Sequence, residues 1–454
     1  MGEAIAFVYP YFRERKPIER EKLFPPLGIA SLKSQVLAQG LNSRIHDGTF
    51  SRIDEIVKNV ERQQPAIVGI YAMLTMSRNA LDIAREIRNR LPGTLLVAGG
   101  PLPTLYPERF LSDFDLVFRG EADLSFAGFC NEYLSLCAGR EDLGRVGTSC
   151  YPGITWLSSG GIAGCPPIHN PVEVLDSLPI PDRSCFDHDR YKQFWKDTYG
   201  YTQTSIIITR GCPFLCDFCS KPVWGQFYRK PSLERVFTEI SDILRYDYER
   251  LWIADDSFTL DTRYLRSFCE HMIRADVPVR WSCLSRVDRL SRDLVRTMHN
   301  AGCFKVYLGL ESGSNLTLRL MGKKATVEEG IRAVSLFQEA GIETSGFFIV
   351  GYPGETDESV QKTLSLALSL PLDEISINVP FPLPGSPLFE RVSGLDPDAD
   401  WDMANETRFV YCTDFDEEDL RERITTALSH FEQEKRERKY LDRLNLLSRI
   451  SDHR

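Results

Sequence analysis

Short apolar strands alternate with amphipathic helices twice along this chain, on either side of an irregular stretch rich in proline and glycine. Parallel strands need a crossover helix between them, so repeated strand–helix units predict parallel sheets and the α/β class. Five units in the first region predict a doubly wound, Rossmann-like sheet, and six in the second predict a partial (β/α)6 TIM-like barrel. We predict a Rossmann-like domain at 1–137, a linker at 138–200, a barrel at 201–395 and a helical C-terminal region at 396–454.

The period of the apolar residues sets the predicted bounds of strands and helices. The predicted strands are Ala4–Tyr9, Ser43–His46, Ala66–Tyr71, Thr94–Ala98 and Asp115–Phe118, then Ser205–Thr209, Arg250–Ala254, Val279–Cys283, Phe304–Leu308, Thr344–Val350 and Glu374–Val379. The predicted helices are Gly28–Gln39, Ile53–Arg62, Ser77–Arg90, Glu108–Ser112 and Leu124–Leu136, then Leu233–Arg245, Tyr264–Ala275, Asp293–Ala301, Val327–Ala340, Ser359–Leu370 and the C-terminal Asp416–Ser448.

The stretch between the two regions predicts irregular structure, because proline and glycine interrupt it at short intervals, as in Leu178-Pro179-Ile180-Pro181. Long irregular stretches inside compact proteins are usually ordered, so we expect this one to pack on both regions. Four aromatic side chains are candidate anchors: Tyr191, Phe194, Trp195 and Tyr199.

Three cysteines, Cys212, Cys216 and Cys219, follow the first strand of the second region with C-x3-C-x2-C spacing. Three thiolates on one short loop can bind three irons of a [4Fe–4S] cluster and leave the fourth iron open to a ligand. Zinc is the alternative, but it needs a fourth Cys or His nearby. The next cysteine is Cys269, and the nearest upstream histidine is His188.

Polar residues follow several strands of the second region, where a barrel has its active site. Asp255 and Asp256 follow the second strand, Ser282 and Arg286 lie at the end of the third, and Glu311 follows the fourth. These five residues are candidates for binding a cofactor. For each, the alternative is a helix cap or a turn at a strand end.

Doubly wound sheets bind their ligands beyond the carboxyl ends of the strands. At these ends the first region has a largely apolar loop and paired glycines, which let a backbone approach a bulky ligand closely. Plain core packing is the alternative for the loop. The candidate residues are Tyr71, Met73, Leu74 and Thr75 after the third strand, Gly99 and Gly100 after the fourth, and Gly120 and Glu121 after the fifth.

Composition favours an enzyme of a reducing cytoplasm. The chain begins with Met1-Gly2-Glu3 and then a strand, without the pattern of a secretory signal, and no apolar run is long enough to span a membrane. The other nine of the twelve cysteines are scattered and are expected to be buried thiols. The net charge of −10 argues against a nucleic-acid partner, which usually requires a basic face.

The second region resembles the radical S-adenosylmethionine (SAM) superfamily. The cysteine loop with Phe218 before its third cysteine, Gly309–Gly313 followed by Met321-Gly322-Lys323, and Gly351–Thr356 carry the resemblance. It implies a cluster whose open iron binds SAM and whose electron cleaves SAM to a 5′-deoxyadenosyl radical. It also implies that Asp255 and Asp256 lie near the SAM amino group, that Glu311 and Arg286 contact its polar groups, and that Ser282 contacts its ribose.

The first region resembles the cobalamin-binding domain that precedes many radical SAM modules. Pro25–Gly28, Gly99-Gly100-Pro101 and Arg119-Gly120-Glu121 carry this resemblance, in that order. The chain lacks the Asp-x-His-x-x-Gly motif of proteins that bind cobalt through a histidine. The resemblance therefore implies cobalamin with its tail threaded into the sheet and without a histidine lower ligand. Met73 and Leu74 cannot coordinate strongly, and Tyr71 is the polar exception.

The whole chain resembles the cobalamin-dependent radical SAM methyltransferases. The resemblance implies that a methyl group moves from one SAM, through methylcobalamin, to a carbon radical that a second SAM generates. Hydrogen-atom abstraction needs no general base, and we assign no catalytic residue. The expected partners are an electron donor and a protein or peptide substrate.

The chain also resembles archaeal enzymes that C-methylate a glutamine in the α subunit of methyl-coenzyme M reductase, a post-translational modification. C-methylation of a small molecule or lipid, and a cyclase like that of magnesium-protoporphyrin ester, remain alternatives. A cobalamin-binding sensor with a structural cluster is the non-enzymatic alternative.

Overall fold

The computed structural model describes residues 4–12, 22–136, 140, 143, 146, 151–165, 175–219, 221, 223–395 and 408–451. These residues form two compact units. Unit 1 is drawn from 1–213 and 220–256, and unit 2 from 214–219, 257–399 and 405–454. This division places the first two strands of the second region in unit 1, whereas our predicted segments begin a separate barrel at residue 201.

Unit 1 contains a sheet with the order β2-β1-β3-β4-β5-β6-β7, parallel from β1 to β5 and antiparallel at β6 and β7. Because β1 lies between β2 and β3, the chain winds outward in both directions from β1, as predicted for a doubly wound sheet. Its strands are β1 (Ile5–Tyr9), β2 (Ser43–Asp47), β3 (Ile67–Tyr71), β4 (Leu95–Gly99), β5 (Leu116–Phe118), β6 (Ile154–Ser158) and β7 (Gly161–Gly164).

Helices cover both faces of this sheet, and each face has its own core. Successive strand residues point to opposite faces, so Ile5 and Phe7 pack on the side of α1 and α5, whereas Ala6 and Val8 pack on the side of α2 and α3. The helices are α1 (Leu27–Ala38), α2 (Ile53–Gln63), α3 (Ser77–Arg90), α4 (Pro101–Leu105) and α5 (Ser125–Ser135). The predicted helix Glu108–Ser112 is wrong: a single 3-10 turn, Pro107–Arg109, stands there, and the amide of Phe110 donates to the carbonyl of Pro107, three residues earlier.

The stretch predicted as an irregular linker contains regular structure among its described residues. The hairpin β6–β7 extends the sheet, and α6 (His188–Tyr199) carries the expected aromatic anchors. Trp195 donates a hydrogen bond from Nε1 to the carbonyl of Leu23 at 2.7 Å, and Tyr191 donates to Asp47 at 2.6 Å. Positions 191, 194, 195 and 199 recur at the helical period, a signal that the proline-based interpretation overlooked.

Unit 1 also contains β8 (Gln203–Ile206), α7 (Leu233–Leu244) and β9 (Arg250–Ile253), and β8 pairs with β9 in parallel. Strand β8 ends earlier than the predicted Thr209. The amides of Ile208 and Thr209 donate to the side chain of Asp255 rather than to a neighbouring strand.

Unit 2 continues the strand–helix alternation, with parallel pairing from β10 to β13. The stripe of α14 that contains Leu420, Ile424 and Phe431 is buried, and the helix packs on α12 and β13. The elements are α8 (Thr262–Arg274), β10 (Arg280–Ser285), α9 (Arg292–Asn300), β11 (Cys303–Glu311), α10 (Asn315–Leu320), α11 (Val327–Glu339), β12 (Glu343–Ile349), α12 (Asp357–Ser369), β13 (Glu374–Asn378), α13 (Pro387–Arg391) and α14 (Glu417–Ser451). Across the part of the chain that the structure describes, no helix is both long enough and apolar enough to cross a membrane.

Candidate functional site

A cavity of about 800 Å³ opens at the carboxyl ends of the parallel strands within unit 1. Most of the strand residues that line it lie on the α1 and α5 face, at alternating positions, and Ile70 and Ala98 are the exceptions among β1 to β5. On the α1 and α5 face β3 and β4 each have a glycine, Gly69 and Gly99, paired in register with Phe7 and Val97 and with Tyr71 and Phe118. The missing side chains create the space. Further lining residues come from the start of α1, from 205–210, from Lys221 and 223–225, and from the end of β9.

The second glycine after β4, Gly100, makes a close backbone approach that only glycine permits. Its φ is +110°, and an added Cβ would lie 2.6 Å from the carbonyl oxygen of Ala72 and 3.0 Å from the Tyr71 ring. Gly99, in contrast, has ordinary strand geometry, and its added Cβ would meet nothing closer than the Phe118 carbonyl oxygen at 4.0 Å. The paired glycines therefore have different roles: Gly100 shapes the turn and Gly99 leaves room for a ligand.

Replacing Gly99 with leucine is expected to fill this space without straining the backbone. Cobalamin affinity should fall at least about tenfold, since an added side chain in a packed site must displace either the ligand or its neighbours. Spectrophotometric titration with cobalamin measures the effect. Gly93→Leu is the matched control, because Gly93 has no atom within 4 Å of an added Cβ and does not line the cavity. Unchanged cobalamin affinity in Gly99→Leu would contradict the binding of cobalamin in the cavity beside Gly99.

The predicted loop after β3 divides between two environments. Tyr71 and Met73 line the cavity, whereas Leu74 packs into the core on the opposite face of the sheet and Thr75 does not line the cavity. Burial raises the pKa of Tyr71 to about 12, so its phenol is neutral near pH 7 and can donate a hydrogen bond. None of the described lining residues is a histidine. The cavity thus fits cobalamin bound with its lower face against residues that coordinate cobalt weakly.

Gly120 and Glu121 lie on the rim of the cavity, as their strand-end position predicts. The Glu121 carboxylate is buried and accepts hydrogen bonds from Arg210 and from Arg229, the latter at 2.8 Å. Arg210 also donates to Asp123 at 3.0 Å. The sequence analysis did not identify these arginines or Asp123, since Arg210 lies 89 residues from Glu121.

The chain on the Cys212 side of the cysteine loop is held by the segment 225–229. Arg210 and Arg229 form an isolated antiparallel bridge, with N–O distances of 3.0 and 2.9 Å. Gly211 has a φ of +82°, and an added Cβ would lie 2.2 Å from the carbonyl oxygen of Phe227. Only glycine fits directly before Cys212.

Asp217, between Cys216 and Cys219, is held by unit 2 through its side chain and its backbone. Its carboxylate accepts from the Tyr352 hydroxyl at 2.7 Å and from Arg391. Its amide donates to Met321 and its carbonyl accepts from Leu388. Phe218 packs beside the buried cluster of Met321, Tyr352 and Leu388. The motifs at 321–323 and 351–356 therefore support the cysteine loop.

All three cysteines of the loop are partly exposed. Among the residues that the structure describes, no three His, Cys, Asp or Glu side chains are grouped to hold one metal ion. A cubane does not require such a group, because each cysteine binds a different iron. The three thiols are partly exposed, and the chain on each side of them is held by hydrogen bonds. This arrangement fits three cysteines that each bind one iron of the cluster.

The neighbouring aspartates Asp255 and Asp256 face different surroundings. Asp255 is fully buried and accepts from the amides of Ile208 and Thr209 at 2.7 and 2.8 Å and from the Thr209 hydroxyl at 2.6 Å. Asp256 is exposed and lines the cavity, where partial loss of water around its carboxyl raises the pKa and the charge of Lys221 opposes the rise. Asp255 thus holds the chain before the cysteine loop, and Asp256 is the one available to a ligand.

Burial raises the pKa of Asp255 to about 7, although the hydrogen bonds from Thr209 and Ile208 oppose this rise. The unfolded carboxyl titrates near about 3.9, so between these pH values the native state keeps a proton that the unfolded chain has lost. The free energy of unfolding should therefore decrease by about 1–4 kcal/mol as pH rises from about 4 to about 7. Thermal unfolding of Asp255→Asn across this pH range should show a smaller decrease in the free energy of unfolding than the wild type shows. Identical pH dependence in the two proteins would contradict the raised pKa of Asp255.

The candidates in unit 2 are buried at their strand ends. Glu311 has a φ of +62° and pairs with Lys323, whose Nζ lies 2.6 Å from Oε1. Arg286 stacks 3.4 Å above the Phe214 ring and donates to Asp288 and to the carbonyl of Lys324. Ser282 is buried on β10. Sequence reasoning identified Lys323 only within a motif, and it missed the Phe214 contact.

Family comparisons assign both regions. A family model described as the B12 binding domain matches residues 18–129, and one described as the radical SAM superfamily matches residues 206–367. The chain is 32% identical over 376 residues to an uncharacterised methyltransferase of Pyrococcus horikoshii, covering 81% of this chain and 78% of that protein. It is 28% identical to the anaerobic magnesium-protoporphyrin IX monomethyl ester cyclase of Rubrivivax gelatinosus, over 81% of this chain and 66% of that protein.

Solved structures share the fold. The radical SAM methyltransferase TsrM from Kitasatospora setae, solved with cobalamin and a [4Fe–4S] cluster, matches with a TM-score of 0.68 at 18% identity, over 84% of this chain and 75% of that chain. The cobalamin-dependent SAM radical enzyme OxsB matches with a TM-score of 0.67 at 19% identity, over 82% of this chain and about half (53%) of its own. The predicted fold class, a Rossmann-like cobalamin-binding domain followed by a radical SAM barrel and a helical C-terminal region, is confirmed.

The predicted cofactors, a [4Fe–4S] cluster, SAM and cobalamin, are likewise confirmed at the level of the family. With a B12-binding domain ahead of a radical SAM domain and close similarity to a methyltransferase over most of its length, the chain belongs to the family of cobalamin-dependent radical SAM methyltransferases.

Proposed function

We propose that this enzyme transfers a methyl group from SAM, by way of cobalamin, to an unactivated carbon of its substrate. The cavity carries the proposal, since Gly69 and Gly99 leave space beside Tyr71 and Met73, and its described lining has no histidine. Tyr71 and Met73, neither of them a strong cobalt ligand, would lie beside bound cobalamin, which would carry the methyl group. The 32% identity to a methyltransferase supports the same reaction class.

When bound, the cluster supplies one electron for SAM cleavage and cobalamin carries the methyl group. Each turnover consumes two SAM molecules and two electrons from a donor. It releases S-adenosylhomocysteine, methionine and 5′-deoxyadenosine, which carries the hydrogen removed from the substrate, together with the methylated product. The electron donor is a required partner of the chain.

Within this scheme we assign roles to residues of the chain by the chemistry of their side chains. Asp256 presents a carboxylate to the cavity and suits the SAM ammonium group by a charge-assisted hydrogen bond. The ion pair of Glu311 and Lys323 offers one charge of each sign to the polar groups of SAM. Arg286, stacked on Phe214, holds the cysteine loop as well as offering a cation.

As the target we propose a glutamine of the methyl-coenzyme M reductase α subunit. The resemblance of the whole chain to the archaeal enzymes that modify this residue supports the proposal. A second candidate function is cyclisation, which three relatives named as anaerobic magnesium-protoporphyrin IX monomethyl ester cyclases favour, at 24 to 28% identity. Small-molecule or lipid methylation is the third, since relatives include a hopanoid C-3 methylase at 23% identity.

One anaerobic assay separates these functions. The reconstituted enzyme is incubated with methyl-deuterated SAM, cobalamin, a strong reductant and candidate substrates, including a peptide from the reductase α subunit. Mass spectrometry should find a deuterated methyl group on the peptide, with both 5′-deoxyadenosine and S-adenosylhomocysteine. Deoxyadenosine without S-adenosylhomocysteine, on a porphyrin ester that is consumed, would overturn the methyltransferase in favour of the cyclase. Methylation of a lipid or small molecule alone would overturn the peptide target.

A further inference from the structure

A buried network of two arginines and two carboxylates lies within unit 1. Glu121 accepts from Arg210 and Arg229, and Asp123 accepts from Arg210. The side chains of Glu121 and Arg229 are 3% and 8% exposed. Charges buried this deeply persist only when they are paired, so each member depends on the others.

One end of this network belongs to the cavity wall. Glu121, Asp123 and Arg210 all line the cavity, as does Ser31 of α1, whose hydroxyl donates to Asp123 at 2.9 Å. A ligand that fills the cavity therefore packs against both carboxylates and against Arg210. Such a ligand favours the arrangement in which Glu121 pairs with both arginines.

The other end of the network belongs to the cysteine loop. Arg210 stands two residues before Cys212, bridges to Arg229 through its backbone and lies 5.6 Å above the Trp224 ring. The amide of Cys212 donates to Gly225 at 3.4 Å. The position of the Arg210 guanidinium therefore bears on both the conformation and the electrostatic surroundings of this cysteine.

We propose that Glu121 is a positioning residue that couples cobalamin occupancy of the cavity to cluster binding by the cysteine loop. Cobalamin packed against this network stabilises the pairing of Glu121 with Arg210 and Arg229, and the held arginines keep Cys212 in its cluster-binding position. Coupling between two sites is reciprocal, so the cluster must raise cobalamin affinity by the same factor. The inference rests on the cofactors and is independent of the substrate in the proposed function.

The test is an anaerobic titration of cobalamin into cluster-loaded and cluster-free protein. In the wild type the cluster should tighten cobalamin binding by about 5-fold or more, within the usual range of about 5- to 150-fold for coupled sites. Glu121→Gln keeps the shape of the side chain but removes the charge, and its ratio should fall to about one. The electron paramagnetic resonance spectrum of the reduced cluster should respond to cobalamin in the wild type and not in Glu121→Gln.

Asp113→Asn is the matched control, because Asp113 also accepts two hydrogen bonds from one arginine, Arg85, at 2.8 and 3.0 Å, but away from the cavity. It should keep the wild-type ratio. Arg210→Lys is the second variant, since lysine keeps the charge but lacks the planar guanidinium through which Arg210 donates from Nη1 and Nη2 to Glu121 and Asp123, and it carries the test if Glu121→Gln fails to fold. A wild-type ratio of one, or a wild-type ratio retained in either variant, would overturn the proposal. No substrate enters the titration, so failure of the proposed function leaves its outcome unchanged.

Discussion

Replacing Cys216 with alanine is expected to abolish reductive cleavage of SAM while leaving a cobalamin site. Two thiolates cannot hold the cluster that three hold, and the cluster is the group that supplies the electron, so 5′-deoxyadenosine formation should fall at least about 10³-fold. The cobalamin cavity lies within unit 1 and Cys216 within unit 2. Cobalamin should therefore still bind, with the affinity of cluster-free wild-type protein.

The measurements are iron and sulfide content, deoxyadenosine by chromatography and cobalamin by absorbance. Cys412→Ala is the matched control, because Cys412 is an exposed cysteine of unit 2 outside the loop. It should retain the full iron content. A Cys216→Ala protein that still cleaves SAM would refute the assignment of the cluster. A cobalamin-binding sensor with a structural cluster would cleave no SAM, and it would tolerate the loss of Cys216 with its cofactor binding intact.

The second large effect is on stability. Asp255→Ala leaves the amides of Ile208 and Thr209 and the Thr209 hydroxyl without their buried acceptor. An unsatisfied buried donor costs about 1–3 kcal/mol, so the free energy of unfolding should fall by at least about 3 kcal/mol. Because these residues immediately precede Arg210 and the cysteine loop, iron incorporation should fall as well.

The neighbouring aspartate Asp256 is the matched control, because it is the same residue type but its side chain faces the cavity. Asp256→Ala should change the free energy of unfolding by no more than about 0.5 kcal/mol, since its side chain faces the cavity. Its defect should instead be weaker SAM binding. Urea unfolding and equilibrium SAM binding measure the two effects. Equal stability of the two variants would contradict the division of roles.

Local patterns predicted the elements well because they depend on residues close in sequence. The bounds of α3, Ser77–Arg90, agree with the prediction at both ends, and most other predicted elements agree within two residues. The failures have local explanations. The prolines before α6 led us to predict irregular structure there, although the spacing of its aromatic residues indicated a helix. Strand β8 ends early because two amides that would have continued it donate to Asp255 instead.

The candidate site was less accessible to sequence reasoning. The cysteine loop was identifiable because its three ligands lie within eight consecutive residues. Gly69 was missed, although an isolated glycine inside an apolar strand signals close approach of a ligand or backbone. Glu121 was identified as a strand-end residue, but its partners Arg210 and Arg229 lie 89 and 108 residues away.

The sequence alone determined the cluster motif and the order of the two regions, because spacing and periodicity are properties of short segments, and the resemblance of its motifs to those of a known family indicated the family. Only the tertiary structure decided which of Asp255 and Asp256 meets the cavity and which holds the chain. It also decided that Glu121 pairs with Arg210. Adjacent residues of one type differ only in the direction in which the folded backbone points them, and partners far apart in sequence meet only when packing brings their elements together.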